Sequence, residues 1–258
     1  MNLVFGFYRV LAYLPLGRQL IHLLYKRDYP SLHHGAFGLD FTGPVALGAG
    51  FDPQGKIFDL LLDAGFAYVQ VGPFSGKADI FRAIEHLKGT PHNGIVAACL
   101  AERNTVDEQV VKDYDTAFTL LYDFVDMFIV RIDQPDTDLD IILNKRMCMD
   151  VYKPVLFHLS DELNRNDLAD ILRYAQLSGV DGVVVGRPDY DKTLALLKDV
   201  QALCQGRMPV VAAGGIYTPE QAAGLLQGGA VMVELYDGIL EQGPTLLRKI
   251  LKYLNKNI

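Results

Sequence analysis

From residue 37 onward the chain alternates between two hydrophobic rhythms. Short apolar runs rich in β-branched residues occur at 45–50, 66–72, 94–100, 127–133, 154–160, 182–186, 209–215 and 231–236. Between most of them apolar residues recur every three or four positions, which predicts helices over 56–64, 106–124, 139–149, 167–177, 192–204, 219–226 and 246–254. The weakest unit lies between the second and third strands, where 80–87 predicts only a short helix. Strands that are apolar on both faces belong to a parallel sheet covered by helices. Eight strands alternating with helices predict a closed α/β structure, a (β/α)8 TIM barrel over 36–258.

Residues 1–35 follow a different pattern and read as an N-terminal helical arm. Leu3, Val4, Phe7, Val10, Leu11 and Leu14 recur at helical spacing, Pro15 ends that helix, and 16–25 can form a second. Residues 1–27 hold Arg9, Arg18, Lys26 and Arg27 and no acid. Arg9 and Arg18 interrupt the apolar run, which argues against a transmembrane span. No small-residue cleavage site follows, which argues against a cleaved signal. Two readings stay open: a basic amphipathic hairpin lying on an anionic membrane, and an arm packed under the barrel or against a second subunit.

Composition narrows the class. The 258 residues match one barrel, and half of them are apolar, enough for a substantial core. A net charge of −7 argues against a nucleic-acid partner. Cys99, Cys148 and Cys204 form no C-x-x-C pair, which suits a reducing cytoplasmic compartment, on its own or at the inner face of a membrane. The six histidines show no metal-binding spacing and no metal site is expected, the adjacent His33 and His34 being too close to share an ion.

The most telling chemistry lies in 209–238, PVVAAGGIYTPEQAAGLLQGGAVMVELYDG. One strand ends in Gly214 and Gly215 and the next in Tyr236, Asp237 and Gly238. Glycines at a strand end let a phosphate approach bare N–H groups, and the last two strand ends of such barrels often hold one. The same glycines also suit tight strand-to-helix turns, and both readings stand.

Three segments carry a family resemblance. FGLDFTGPVALGAGFDPQGK (37–56), TVDEQVVKDYDTAFTLLYDFVDMFIVRI (105–132) and the stretch 209–244 with LYDGILEQGP resemble class 2 dihydroorotate dehydrogenases, the quinone-linked and membrane-associated branch. The resemblance runs along nearly all of 37–254. It implies a barrel that binds FMN and oxidises dihydroorotate to orotate in pyrimidine biosynthesis, with quinone contact through the N-terminal hairpin. It also implies cofactor-binding roles for Ala49, Gly50, Gly214, Gly215, Tyr236, Asp237 and Gly238.

The chemistry-bearing positions depart from the family pattern. Where the fourth strand of the family ends N-I-S-S-P-N with a serine base, this chain reads Arg131, Ile132, Asp133, Gln134, Pro135, Asp136. Gln134 stands at the base position, and an amide takes no proton at neutral pH. Asp133 is a candidate base, although strand alternation turns it toward the opposite face. Pro53 replaces a substrate-binding lysine, His158 a flavin-contacting lysine, and Gly186-Arg187-Pro188 a T-N-T triplet. Ala98 or Cys99 falls at a flavin-binding asparagine, and Asp237 replaces a hydroxyl residue near the expected phosphate. Arg131 and Arg187 belong at the C-terminal strand ends, where they either pair with Asp133, Asp136, Asp161 and Asp189 or bind an anionic ligand. Three functions therefore compete: a flavin-dependent dehydrogenase, a silent paralogue binding an anionic or phosphorylated ligand, and a barrel enzyme of another class using Arg131, Asp133, His158 and Arg187 on a phosphorylated substrate.

Overall fold

A computed structural model describes residues 29–74, 76–101, 107–132, 139–160 and 163–257. The N-terminal arm over 1–28 lies outside them, as do Asp133, Gln134, Asp136 and Asp161. Ten strands appear among the described residues: β1 His34–Ala36, β2 Leu39–Phe41, β3 Val45–Leu47, β4 Tyr68–Val71, β5 Ile95–Leu100, β6 Met127–Ile132, β7 Val155–Leu159, β8 Gly182–Gly186, β9 Val210–Ala213 and β10 Met232–Leu235. The last eight close into a barrel in the order β10-β3-β4-β5-β6-β7-β8-β9, every pair parallel. The expected (β/α)8 architecture is thus present.

The covering helices are α1 Phe58–Asp63, α2 Lys77–Gly89, α3 Asp107–Leu121, α4 Asp140–Met147, α5 Arg165–Leu177, α6 Tyr190–Cys204, α7 Pro219–Gln227, α8 Asp237–Gln242 and α9 Thr245–Asn257. Two differ from expectation. The second, expected to be short over 80–87, is 13 residues long, because Lys77 to Asp79 supply a polar first turn that hydrophobic periodicity does not register. The helix α8 follows β10 directly, where only a turn was expected.

Strand alternation divides the core in two. One set of positions packs outward against the helices, among them Phe118, Phe128 and Phe157, each essentially fully buried. The other set points into the barrel: Ala46, Tyr68, Ala97, Met127, Ile129, Leu156, Val184, Val211 and Met232. Burying each large apolar side chain stabilises by about 1.5–3 kcal/mol. The β1–β2 hairpin closes the N-terminal end. Its two turn residues, Phe37 and Gly38, both have positive φ (53° and 76°), as a two-residue turn of the twisted hairpin type demands. Phe37 lies beside Gly182, where any Cβ would sit 2.6 Å from its ring, and Phe41 contacts Tyr68 edge-on at 6.1 Å. With one end plugged by aromatic rings, the open end is the C-terminal mouth.

Candidate functional site

The inward positions continue past this apolar layer and change character at the mouth. They become Gln70 on β4, Cys99 on β5, Arg131 on β6, His158 on β7 and Glu234 on β10, with Gly48, Gly186 and Ala213 between them. Arg131 and His158 are register partners on adjacent strands. A cavity of about 320 Å³ is lined by Gly48, Gly50, Cys99, Arg131, His158 and Glu234, among others. A second of about 310 Å³ lies beside it, shares Arg131, His158, Ala213 and Gly214, and adds Arg187 and Asp237. Their sizes fall at the lower end of small-molecule sites, about 300–1,000 Å³.

The loop after β8 places Arg187. Its amide donates to the Thr193 hydroxyl oxygen at 2.9 Å, and its carbonyl accepts from the same hydroxyl at 2.9 Å. Thr193 is fully buried on α6, so one side chain fixes the backbone from which the arginine projects. The guanidinium donates to the Gly186 carbonyl at 3.2 Å and makes no ion pair among the described residues. Asp189 caps α6 by accepting from the Lys192 amide at 3.0 Å, which gives that acid a structural task away from Arg187.

The glycine turns have a packing reason as well. A Cβ on Gly214 would lie 2.3 Å from the Arg187 carbonyl, and one on Gly215 would lie 2.4 Å from the Tyr190 amide. Both have positive φ, 86° and 69°. They let the loop after β8 press against the end of β9. A Cβ on Gly238 would lie 2.2 Å from the Ile216 carbonyl. The turns are therefore closely packed on one side. The first-strand arch differs. The Gly48 amide donates to the Leu235 carbonyl and the Gly50 amide to the Gly72 carbonyl, both at 3.0 Å. Ala49 and Gly50 thus border the cavity as apolar wall, with the Tyr236 ring lying against Gly50.

Asp52 holds that arch in place. Its buried carboxylate accepts from the amides of Lys56 and Ile57, each at 2.8 Å. Burial raises its pKa, against the pull of those two bonds.

Glu234 is the group that hydrophobic patterning does not flag. It is 3 % exposed in the barrel interior. One carboxylate oxygen, Oε1, accepts from the Tyr68 hydroxyl and from Gln70 Nε2, the latter at 2.5 Å. Burial pushes its pKa up to about 7, while the bonds from Tyr68 and Gln70 pull the other way. Burial, and then the Glu234 charge, hold the Tyr68 hydroxyl well above its ordinary pKa, so it stays a donor. The signal in the sequence is a lone acid inside M-V-E-L, in phase with the inward Gln70 of Y-V-Q-V.

Comparisons with known proteins follow the same line. A family model described as dihydroorotate dehydrogenase matches residues 171–258. A dihydroorotate dehydrogenase (quinone) of Christiangramia forsetii is 26% identical, with 95% of this chain and 91% of that protein covered. One of Coxiella burnetii (strain Dugway 5J108-111) is 25% identical, covering 88% and 85%. These similarities, at 25–26% identity, make the chain a diverged relative of dihydroorotate dehydrogenases in sequence. Its fold matches the ligand-free dihydroorotate dehydrogenase structure from Eimeria tenella with a TM-score of 0.82 at 18% identity, over 98% of this chain and 93% of that one. Among the described residues, no helix is long and apolar enough to cross a membrane.

Proposed function

We propose that the protein is an oxidoreductase-type barrel of the dihydroorotate dehydrogenase line that still holds an anionic ligand, FMN by family resemblance, but does not turn over dihydroorotate. The observation that carries this reading is the cationic mouth. Arg131, His158 and Arg187 stand at the ends of three successive strands around one cavity that runs on to the Gly214 turn. The guanidinium groups of Arg131 and Arg187 line that cavity, and guanidinium suits a phosphate or carboxylate.

The residues present fit the phosphate end of FMN. The backbone amides of the turns at Gly214, Gly215, Asp237 and Gly238, with Arg187 beside them, would hold the phosphate, and Gly48, Ala49, Gly50 and Ala213 leave an apolar wall for a planar ring. When bound, FMN supplies a hydride acceptor. Quinone contact through 1–27, at a membrane surface, belongs to the same reading. Loss of dihydroorotate turnover rests on Gln134 at the base position and on Arg187 and His158 where the family carries other groups.

The test compares FMN, riboflavin and inorganic phosphate as stabilisers of the purified chain, with an absorbance spectrum and a dihydroorotate-dependent dye-reduction assay. Stabilisation by FMN and not by riboflavin, a flavin spectrum and no dye reduction are the expected results. Stabilisation by phosphate alone favours the anion-binding paralogue without flavin. Dihydroorotate-dependent dye reduction refutes the loss of turnover.

A further inference from the structure

Helix α9, Thr245–Asn257, buries its apolar face against the barrel through Leu246, Leu247, Ile250, Leu251 and Leu254. Its opposite face is exposed and carries Arg248, Lys249, Lys252 and Lys256. At 3.6 residues per turn these four fall within an arc of about 100°, on a stripe about 12 Å long. The helix contains no acid, and none of the four cations makes an ion pair among the described residues. An ordinary solvated helix face mixes its signs, as α6 does with Asp191, Lys192, Lys198 and Asp199. Helix energetics does not account for the stripe. Arg248 and Lys252, and Lys252 and Lys256, are like charges at i,i+4 and repel. Lys256 lies in the last turn, where a cation suits the helix dipole, but Arg248 lies in the first turn and opposes it. In a chain of net charge −7 the stripe is a local concentration of the minority sign.

A second basic segment meets the same helix. Residues 1–27 hold Arg9, Arg18, Lys26 and Arg27 and no acid, and the described chain picks up at Tyr29. The turn Pro30–Leu32 that follows packs on α9, where the Ser31 hydroxyl donates to Asn255 Oδ1 at 2.6 Å. The arm therefore joins the barrel at the C-terminal end of the basic stripe. We propose that the exposed face of α9 is a docking surface for an anionic phospholipid bilayer, with Arg248, Lys249, Lys252 and Lys256 as its headgroup contacts. The charge fits acidic headgroups. The face offers only charge, because the apolar residues of α9 are already buried, so it rests on a surface and does not insert. Insertion falls to the apolar residues of the arm, Leu3, Phe7, Leu11 and Leu14 among them, and α9 adds the second signal that stable membrane anchoring needs. An extended polyanion such as a nucleic acid fits less well, since beyond the stripe it meets the excess of acids on the rest of the chain. This inference rests on the reading that 1–27 lies at a membrane surface, and adds to it a contact on the barrel itself.

The test is cosedimentation of the full-length chain with vesicles of phosphatidylcholine alone or of phosphatidylcholine mixed with phosphatidylglycerol. A stripe variant carries Arg248→Gln, Lys249→Gln, Lys252→Gln and Lys256→Gln. A control variant removes the same charge from exposed sites on α5, α6 and the loop after it, through Arg173→Gln, Lys192→Gln, Lys198→Gln and Arg207→Gln. Wild type is expected to favour the anionic vesicles by roughly thirtyfold or more, several-fold for each cation, and to lose that preference at raised salt. The stripe variant is expected to bind the anionic vesicles roughly tenfold or more weakly than wild type, and the control to stay within about threefold of it. A circular dichroism melting curve confirms that both variants are folded. The pairs Arg248→Gln/Lys249→Gln and Lys252→Gln/Lys256→Gln, each expected to give an intermediate loss, keep the readout should the fourfold variant be insoluble. Anionic-vesicle binding that the stripe variant retains, or that the control loses equally, overturns the role of α9 and leaves the arm as the membrane contact. Wild type that binds neither kind of vesicle, whether or not it retains a DNA duplex, overturns both readings.

Discussion

The buried Glu234 should make the stability of the barrel fall as pH rises through neutrality. Its folded pKa is about 7 against an ordinary 4.5, because burial disfavours the charged form more than the bonds from Tyr68 and Gln70 favour it. A carboxyl with a raised folded pKa holds its proton more tightly when folded. Its contribution is complete below the unfolded value and is lost as pH climbs through the folded one. The full span is worth about 3 kcal/mol at 1.36 kcal/mol per unit, and about 2.5 kcal/mol of it falls between pH 5 and pH 8.

For a chain of this size that corresponds to a melting-temperature change of roughly 5–10 °C. The measurement compares wild type with Glu234→Gln by calorimetry or fluorescence at pH 5, 6, 7 and 8. Taking the difference cancels every group the two proteins share. Wild type should lose roughly 5–10 °C relative to the variant across that range. The charged or titratable groups lining the cavity with Glu234 are Arg131, His158, Cys99 and Tyr236, and Tyr68 and Gln70 are bonded to it. Only His158 has an ordinary pKa in the same window, so the comparison is repeated in a His158→Gln background. A wild-type-minus-variant difference that stays within about 2 °C from pH 5 to pH 8 refutes a carboxyl titrating near neutrality in the barrel.

Three further outcomes test other parts of the structure. Gly186→Ala would place a Cβ 1.8 Å from the Ala213 carbonyl, inside a strand pair that cannot give way, and should destabilise by at least about 3 kcal/mol, seen as insoluble expression or a large fall in melting temperature. Arg146→Ala removes the buried partner of Asp181, an ion pair of 2.8 Å, together with a 2.8 Å bond to the Gly179 carbonyl; chemical denaturation should show a loss of about 3 kcal/mol while anion binding at the opposite end is unchanged. Asp52→Ala strands the amides of Lys56 and Ile57 and should cost about 2–3 kcal/mol by the same measurement, with weaker ligand binding because the Gly48–Gly50 arch loses its support.

The fold was readable because its signal is long-range and repeated. Each of the eight predicted runs contains a barrel strand, and the glycines at 214 and 215 mark the end of β9 as expected. Helix starts were less legible, since the caps that set them are polar. Asn164 and Asp189 accept from backbone amides and begin α5 and α6 two residues before the apolar rhythm does. The site divided in the same way. Arg131, His158 and Arg187 stand out in sequence because charge at a strand end is conspicuous, and the structure brings all three to one cavity. Asp237 joins that cavity as well. Glu234 escaped because a single acid inside an apolar strand gives no hint of its partners, which lie 164 and 166 residues away on β4. Thr193 escaped for a different reason. Its two bonds go to the backbone of Arg187, and no sequence pattern marks them.

The distribution of polar groups inside the barrel bears on what the chain still does. Below the mouth the interior is apolar and closed by Phe37 and Phe41, as stability alone would dictate. Toward the mouth it holds Gln70 and Glu234 buried together, and Arg131 and His158 line the cavity with Glu234. A barrel that had merely shed its chemistry gains nothing by keeping Glu234, since a buried carboxyl with a pKa of about 7 weakens the fold at neutral pH. A leucine of similar size would remove that cost. Nor does the carboxyl satisfy its neighbours fully, because it leaves Gln70 Oε1 without a partner. Under the proposed anion-binding reading, that cost falls at the mouth and not in the sealed lower barrel.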